Sequence, residues 1–406
     1  MLSTQARPYI DASVPVLKAH GLAITTRFYA RLFEAYPELK HLFNMGNQAN
    51  GVQQQSLAAA VFAYAANIDQ AQALAPVIER IVHKHASVGL RPEHYPLVGT
   101  QLLGAIGDVL GEAATPELIA AWAEAYGLLA DTLIAAEARL YEQARRQPGE
   151  LRALQVVRIE EQGKHGRAFV LQDPAGGSPG AFEPGQYISV SVKLPGGLHQ
   201  LRQYSLSDAP QQPWWRITVK RETARGEQPA GQVSNHLHDT LKVGDVLNTS
   251  APFGDFKPLP AGDGPLWLLS AGVGITPMVS ALNSLVAVGS TRHVVFAHAA
   301  RKADEQAHGA DLRQATHKLP GLQAQLFHEG SQGATWQGLS VQPGRMDVSE
   351  WVERARRDQV LDQVQVFLCG PLPFMQAQRA ALLQGGVPAA NIHREVFGPD
   401  LLDGLI

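Results

Sequence analysis

Ile78-Glu79-Arg80-Ile81-Val82-His83-Lys84-His85-Ala86-Ser87-Val88-Gly89 decides how the first third of the chain is read. Ile78, Ile81 and Val82 recur at helical spacing, and His85 follows Ile81 by four and Ile78 by seven. It therefore continues the apolar face of one helix. His83 sits ~200° round that helix from His85 and is expected to face water. A buried neutral imidazole is either a satisfied core histidine or a metal ligand. By itself this stretch favours the core histidine, the commoner case.

The surroundings are helical. Ile10, Val14, Leu17, Ile24, Phe28 and Leu32 keep three- and four-residue spacing, as do Leu57, Val61, Tyr64 and Ile68, and Val98, Leu102, Ile106 and Val109. A last helix carries Trp122, Tyr126, Leu129, Leu133 and Leu140. Ala35-Tyr36-Pro37, Arg91-Pro92 and Ala114-Thr115-Pro116-Glu117 punctuate them. Polar residues interrupt the apolar stripes, at a free-energy cost unless each finds a partner. Tyr29 shares a face with Leu32 and Phe33, and Gln53 precedes Leu57 by four. Glu137 follows Leu133 by four, and Tyr95 follows His85 by ten, just past a proline turn. Each has an ordinary reading: a hydroxyl at the rim, a glutamine in a first turn, a helix face misjudged. Together they describe a site, because a buried carboxylate beside a buried histidine fixes its tautomer and strengthens its other nitrogen as a metal donor.

Composition narrows the chemistry. The 406 residues are 45% hydrophobic and 17% charged with net charge −3, which suits two or three well-cored domains. The charges are interspersed, so no nucleic-acid surface is expected. No apolar run approaches membrane-spanning length and no basic segment leads into an apolar one, so a cytoplasmic protein without stable membrane insertion is expected. Cys369 is the only cysteine. This excludes an internal disulfide and a multi-cysteine zinc or iron–sulfur site.

At these residues the chain resembles a family. Phe43, in Leu42-Phe43-Asn44-Met45, is similar to the globin phenylalanine that packs on haem; Gln53 sits where globins place their distal-helix polar residue; Lys84-His85 is similar to the proximal segment. With two further domains behind it, the whole resembles the bacterial flavohaemoglobins, over nearly the full chain. The resemblance implies His85 as axial iron ligand, Tyr95 and Glu137 as its hydrogen-bonded relay, and Tyr29 and Gln53 over the gas ligand. It also implies that Leu57 crowds the distal pocket and Lys84 faces the flavin domain.

After Gln147-Pro148-Gly149 the periodicity becomes strand-like. Leu154–Ile159, Ala168–Leu171, Tyr187–Val192 and Trp215–Lys220 are short runs between turn residues, which suggests a small antiparallel barrel. Trp214 and Trp215 read as sheet packing, and the charges between 220 and 228 as a solvated turn. Arg202-Gln203-Tyr204-Ser205 resembles the R-x-Y-[ST] motif of ferredoxin-reductase-like flavoproteins. The resemblance implies Arg on the FAD pyrophosphate, Tyr on the isoalloxazine and Ser near flavin N5, roles that suit a forked guanidinium and a flat ring. The companion is Gly231-Gln232-Val233-Ser234-Asn235, opening a helix whose free N–H groups suit phosphate, or else simply capped by its serine. Tyr187, closing Pro184-Gly185-Gln186-Tyr187, joins the implied flavin set.

Beyond Pro258–Pro265 comes a buried strand, Leu266–Leu269, then Gly272-Val273-Gly274-Ile275-Thr276-Pro277 and a helix. Strand, glycine turn and helix are the setting a pyrophosphate needs, although Pro277 stands where a third glycine would. A glycine-rich connection without ligand is the plain alternative. His293–His298, Leu322–Phe327 and Val364–Leu368 alternate with helical segments, a parallel α/β pattern. Cys369-Gly370-Pro371 follows the last, where ligands gather. By resemblance it borders the nicotinamide, and Glu395-Val396-Phe397-Gly398-Pro399 lies by the flavin with Phe397 on its face. The usual segment has Tyr in place of Arg394.

The expected architecture is an all-α globin domain over 1–147, an antiparallel β-barrel FAD domain over 151–258 and an α/β parallel-sheet NAD(P) domain over 265–406, ferredoxin-reductase-like. The implied cofactors are haem b, FAD and NAD(P)H, the small partners dioxygen and nitric oxide, the expected state a monomer. The implied activity is nitric oxide dioxygenation. The competing classes are an oxygen carrier or gas sensor with a haem-reducing module, and a reductase of peroxide or external acceptors.

Overall fold

A computed structural model describes the chain except Gly196, Arg225, Glu227, Gln228, residues 331–333 and 399–406. The first third folds as α1 (Arg7–Ala35), α2 (Met45–Ala49), α3 (Val52–Ala66), α4 (Ala71–Val88), α5 (His94–Leu110) and α6 (Pro116–Ala144). Local chemistry sets the ends. Thr115 caps α6 through Leu118 N–H at 3.3 Å. Gly89 closes α4 with φ +78°, and any side chain there would strike the Gly149 backbone of the following linker. The core joins Ile10, Leu17, Ile24, Phe28 and Leu32 of α1 to Leu102 and Ile106 of α5 and Trp122 of α6.

One sequence expectation fails here. By length and composition α6 could cross a membrane. It packs instead against α1, α4 and α5, burying Trp122, Leu133, Glu137 and Tyr141.

The middle third is one antiparallel sheet. Its strands are β1 (Arg152–Gln162), β2 (Gly166–Gln172), β3 (Tyr187–Lys193), β4 (His199–Ser205), β5 (Trp215–Lys220) and β6 (Val246–Thr249), in the order β4-β3-β6-β1-β2-β5. A bridge between Leu206 and Ile217 joins the two ends into a barrel. Ile188, Val190, Phe169, Leu171 and Ile217 fill it, with Val233 and Leu237 of α7 (Gln232–Thr240) as a plug. Trp215 is a core residue, as its sequence context suggested.

The last third is a seven-stranded sheet, β10-β11-β9-β8-β7-β12-β13. Its strands are β7 (Leu266–Ala271), β8 (Val294–Ala300), β9 (Leu322–His328), β10 (Ala334–Trp336), β11 (Leu339–Pro343), β12 (Gln365–Cys369) and β13 (Ile392–Glu395). All pairs are parallel except β10 with β11. α8 (Ile275–Ala287) and α9 (Gly309–Lys318) cover one face, α10 (Ser349–Arg357) and α11 (Leu372–Gln384) the other. Burial on both faces explains the continuous apolar runs of β7 and β12.

Candidate functional site

On the proximal side, α4, α5 and α6 bring three predicted residues together. His85 Nδ1 lies 2.8 Å from Glu137 Oε1 and 3.1 Å from the Tyr95 hydroxyl, which itself donates to Glu137 Oε1 at 2.5 Å. Glu137 is 2% exposed, and its cost of burial is offset by these two bonds. Burial first, and then the Glu137 carboxylate, push the Tyr95 phenol up, so it stays a donor. A carboxylate acceptor at Nδ1 puts the proton there and leaves Nε2 with its lone pair free. Among the described residues nothing hydrogen-bonds Nε2, and the imidazole keeps 32% exposure in an otherwise buried setting. Such a histidine fits a haem iron. Tyr126, which the sequence reading left as a core residue, supports the set by donating to the Tyr95 carbonyl at 2.7 Å.

Tyr29 of α1 is 5% exposed, and its ring centroid lies 5.8 Å from Phe33 and 5.7 Å from Phe43. Burial pushes its phenol up to about 12, against the opposing pull of the Gln53 and Gln48 amides. Leu57 packs partly buried beside this cluster. Gln48 escaped the sequence reading because it lies off every apolar stripe. Its Oε1 accepts from Gln54 Nε2 at 3.1 Å, but its own nitrogen is buried and unpartnered, as is Gln54 Oε1. Orphaned buried amides are costly and rare. A pocket that receives a polar ligand gives them partners, so this side too fits a gas-binding haem.

His83 corrects an expectation. It does not face water: its Nδ1 accepts the Gly254 N–H at 3.0 Å, because the barrel covers that side of α4. Burial holds its imidazole below the usual range, which suits a neutral acceptor. Beside it, the Lys84 ammonium lies 5.7 Å from the Tyr187 ring centroid. Burial pushes Lys84 down, while Glu395 and Asp255 hold it up. Glu395, at the end of β13, also acts on Tyr187 and Cys369. Charges from all three thirds therefore act on this region.

The flavin motif residues lie on adjacent strands. Tyr187 pairs with Ser205 and Ile188 with Tyr204 across β3 and β4. Gln203 donates to Ser189 Oγ at 3.1 Å. Arg202 turns on its own strand, donating to Leu201 O at 2.7 Å and Gln200 Oε1 at 3.1 Å, and burial pushes its guanidinium down. An anion would repay that burial. Gly231 precedes α7; Ser234 Oγ accepts Glu222 N–H at 3.2 Å and donates to the Gly231 carbonyl at 3.2 Å. Ser234 therefore does not cap the helix, and Gln232 and Val233 form its first turn with no side-chain cap. Phe397 is 45% exposed, next to half-buried Val396. Gly398 follows at φ +129°; Pro399 lies outside the described residues.

In the last third, Gly272-Val273-Gly274 makes a tight turn between β7 and α8, with Gly272 at φ +56°. A side chain at Gly274 would strike the Cys369 carbonyl, so glycine lets β12 and the turn touch. Thr276 Oγ1 donates to Val273 O at 3.0 Å, and Ile275, Thr276 and Pro277 are buried in the first turn of α8. Cys369 is fully buried, its thiol pushed up by burial; Gly370 and Pro371 lead into α11. The carboxyl ends of β7 and β12 thus adjoin at the glycine turn, the position where dinucleotides bind on sheets of this kind.

Comparisons agree with this geometry. The globin family matches residues 26–133, the oxidoreductase FAD-binding domain family 153–257 and the oxidoreductase NAD-binding domain family 268–380. A flavohemoprotein of Chromobacterium violaceum is 48% identical over 403 residues, 98% of each chain. One of Rhizobium meliloti is 44% identical over 99% of each. The crystal structure of flavohemoglobin from Malassezia yamatoensis with bound FAD and heme superposes with TM-score 0.86 at 30% identity, covering 98% of this chain and all of that one. The FAD/NAD binding domain of a nitric oxide dioxygenase from Vibrio cholerae covers 61% of this chain and 99% of its own, with TM-score 0.54 at 33% identity. With its globin, FAD-binding and NAD-binding parts in one chain, this protein belongs to the flavohaemoproteins: an NAD(P)H-dependent oxidoreductase whose cofactors are haem and FAD.

Proposed function

We propose that this protein is a nitric oxide dioxygenase, converting nitric oxide and dioxygen to nitrate with electrons from NAD(P)H. The observation that carries the reading is the His85–Glu137–Tyr95 set. A histidine whose Nδ1–H is held by a carboxylate donates more electron density through Nε2, which suits activation of a gas ligand rather than its storage. When bound, haem supplies the centre at which dioxygen meets nitric oxide, and FAD divides the two electrons of a hydride into single ones. The chain does the rest. His85 Nε2 would hold the iron; Tyr29, with Gln53 and Gln48 beside it, would turn a hydroxyl to the gas ligand; Phe43 and Leu57 would keep the pocket narrow and apolar. Arg202, Tyr204, Ser205 and the first turn of α7 would hold the flavin, and Gly272–Pro277 with Cys369–Pro371 the dinucleotide. The match to the reductase part of a nitric oxide dioxygenase supports the same reading, and a need for NAD(P)H suits a cytoplasmic reaction.

Each nitrate formed from one nitric oxide and one dioxygen takes up one electron, so one NAD(P)H supports two nitrates. The test is nitrate yield per NAD(P)H in air with nitric oxide supplied. A ratio near two supports the reading. NAD(P)H oxidation coupled to loss of added peroxide or to reduction of an external acceptor, without nitrate, would identify a reductase. Reversible dioxygen binding with no nitrate would identify a carrier or sensor.

A further inference from the structure

The face of α4 turned away from the proximal pocket carries its own pattern. Arg80, His83, Lys84 and Ser87 are spaced by three, four and seven and so share one stripe. The first three meet the barrel: the Arg80 guanidinium lies 3.6 Å from the Asp255 carboxylate, His83 Nδ1 accepts Gly254 N–H at 3.0 Å, and Lys84 lies over Tyr187. Ser87 Oγ turns back to donate to the Lys84 carbonyl at 2.8 Å. The loop His83 grips is the one that holds Tyr187. Phe253 exchanges two backbone hydrogen bonds with Tyr187, at 2.8 and 2.9 Å. Gly254, at φ +133°, lies so close to the Tyr187 ring that an added Cβ would be 3.2 Å from it. Ala86 and Tyr141 from the globin side and Tyr187, Ala251 and Phe253 from the barrel close the contact as one apolar cluster.

We infer that His83 is a positioning residue for electron entry: by accepting the Gly254 amide it fixes the proximal helix on the flavin barrel, and with it the placement of His85 relative to Tyr187. The other contacts of the stripe are a charge pair and a cation on a ring, both tolerant of sliding. The His83 bond is to backbone and directional, so it sets register. His85 lies two residues along the same helix, and any slip of the docking face moves it. This inference rests on the flavin-to-haem electron path proposed above.

The test uses the holoprotein with His83→Leu, which removes the acceptor, and His83→Gln, which restores one. With His83→Leu the Gly254 amide should exchange with deuterium roughly fivefold faster, the worth of one hydrogen bond. Haem reduction by reduced flavin should slow by a similar factor. Flavin reduction by NAD(P)H and the ferrous–carbonyl spectrum should not change, and His83→Gln should recover most of both losses. Wild-type haem reduction in His83→Leu, or a His83→Gln as slow as His83→Leu, would overturn the inference. If the unaltered protein passes no electrons from NAD(P)H to haem, the electron path itself fails, and unchanged Gly254 exchange in His83→Leu would then discard the docking contact as well.

Discussion

Among the described residues two histidine–carboxylate pairs of nearly equal length, each with its carboxylate buried, do opposite things. His85 lies 2.8 Å from Glu137 in the globin third, and His308 lies 2.9 Å from Asp311 where the barrel meets the nucleotide sheet. At His308 every polar atom is used: Nε2 meets Thr218 Oγ1 at 3.1 Å, the backbone N–H donates to Gln162 Oε1 at 2.8 Å, the backbone carbonyl accepts from Leu312 N–H, and the side chain is 0% exposed. Asp311 receives Arg216 at 2.9 Å and Asn283 at 2.7 Å as well. That set is closed, and it welds two domains. At His85 the ring is held on one side only, and among the described residues the second nitrogen has no hydrogen-bond partner. A buried histidine beside a carboxylate is therefore not in itself a site; the unused nitrogen is.

Removing the two histidines should separate the cases most sharply. His85→Ala is expected to abolish normal haem ligation while FAD is retained, and His308→Ala to keep both cofactors at full stoichiometry. Stoichiometric haem with an unchanged ferrous–carbonyl spectrum in His85→Ala would erase the distinction.

The closed pair should yield the next largest effect, on stability. Asp311→Ala leaves Arg216 buried beside Asp208 alone, at 3.8 Å, and stranding a buried charge costs about 3–5 kcal/mol. Acid should act in the same direction. Burial pushes the Asp311 carboxyl up, but the His308 hydrogen bond and the Arg216 charge outweigh it and hold it well below the usual range. Burial pushes His308 down, and takes neighbouring His298 down to about 3. In each case the unfolded chain binds the proton more readily. The stabilisation is thus complete above the unfolded histidine value of 6.5 and is lost as pH falls toward about 3. Urea midpoints measured between pH 7.5 and 5 should fall on acidification, and a flat profile would contradict this.

The contrast also explains what could be read from the chain. Helical spacing put His85 and Glu137 on apolar stripes, and a carboxylate there had to find a partner, so the proximal set was legible. So were the strand–glycine–helix turn at Gly272 and the barrel strands, because local periodicity specifies them. Asp311 and Arg216 meet across 95 residues, and His83 and Gly254 across 171. No local pattern announces such contacts. Periodicity gave His83 its face correctly; only tertiary packing turned that face from solvent into an interface. β6 and the β10–β11 hairpin escaped because they are short and half-polar, with their edges set by neighbours rather than by their own residues.

On the open side of the haem site the effect should be smaller and kinetic. Tyr29→Phe removes one donor to a strongly polar ligand in an apolar pocket, a loss of roughly 1.5–3 kcal/mol, or about ten- to a hundredfold in dioxygen release. Flash photolysis would measure it. An unchanged off-rate would leave Gln53 and Gln48 as the donors that matter.

The smallest change tests the comparison at its centre. Glu137→Gln keeps the shape of the side chain and an oxygen to accept from His85 Nδ1 and Tyr95, but removes the charge. If Glu137 serves only to satisfy a buried ring, as Asp311 does for His308, a neutral acceptor should serve nearly as well, and turnover should not change. If it instead drives electron density through Nε2, the iron–histidine bond should weaken, the haem potential should rise and dioxygenation should slow, by about tenfold if this partner is worth what such outer partners usually are. Haem should stay bound, because Nε2 is untouched. The ferrous iron–histidine stretch in resonance Raman spectra should move to lower frequency. A band at the wild-type position with wild-type nitrate formation would make the open pair no different in kind from the closed one, and would favour a haem held for carriage or sensing.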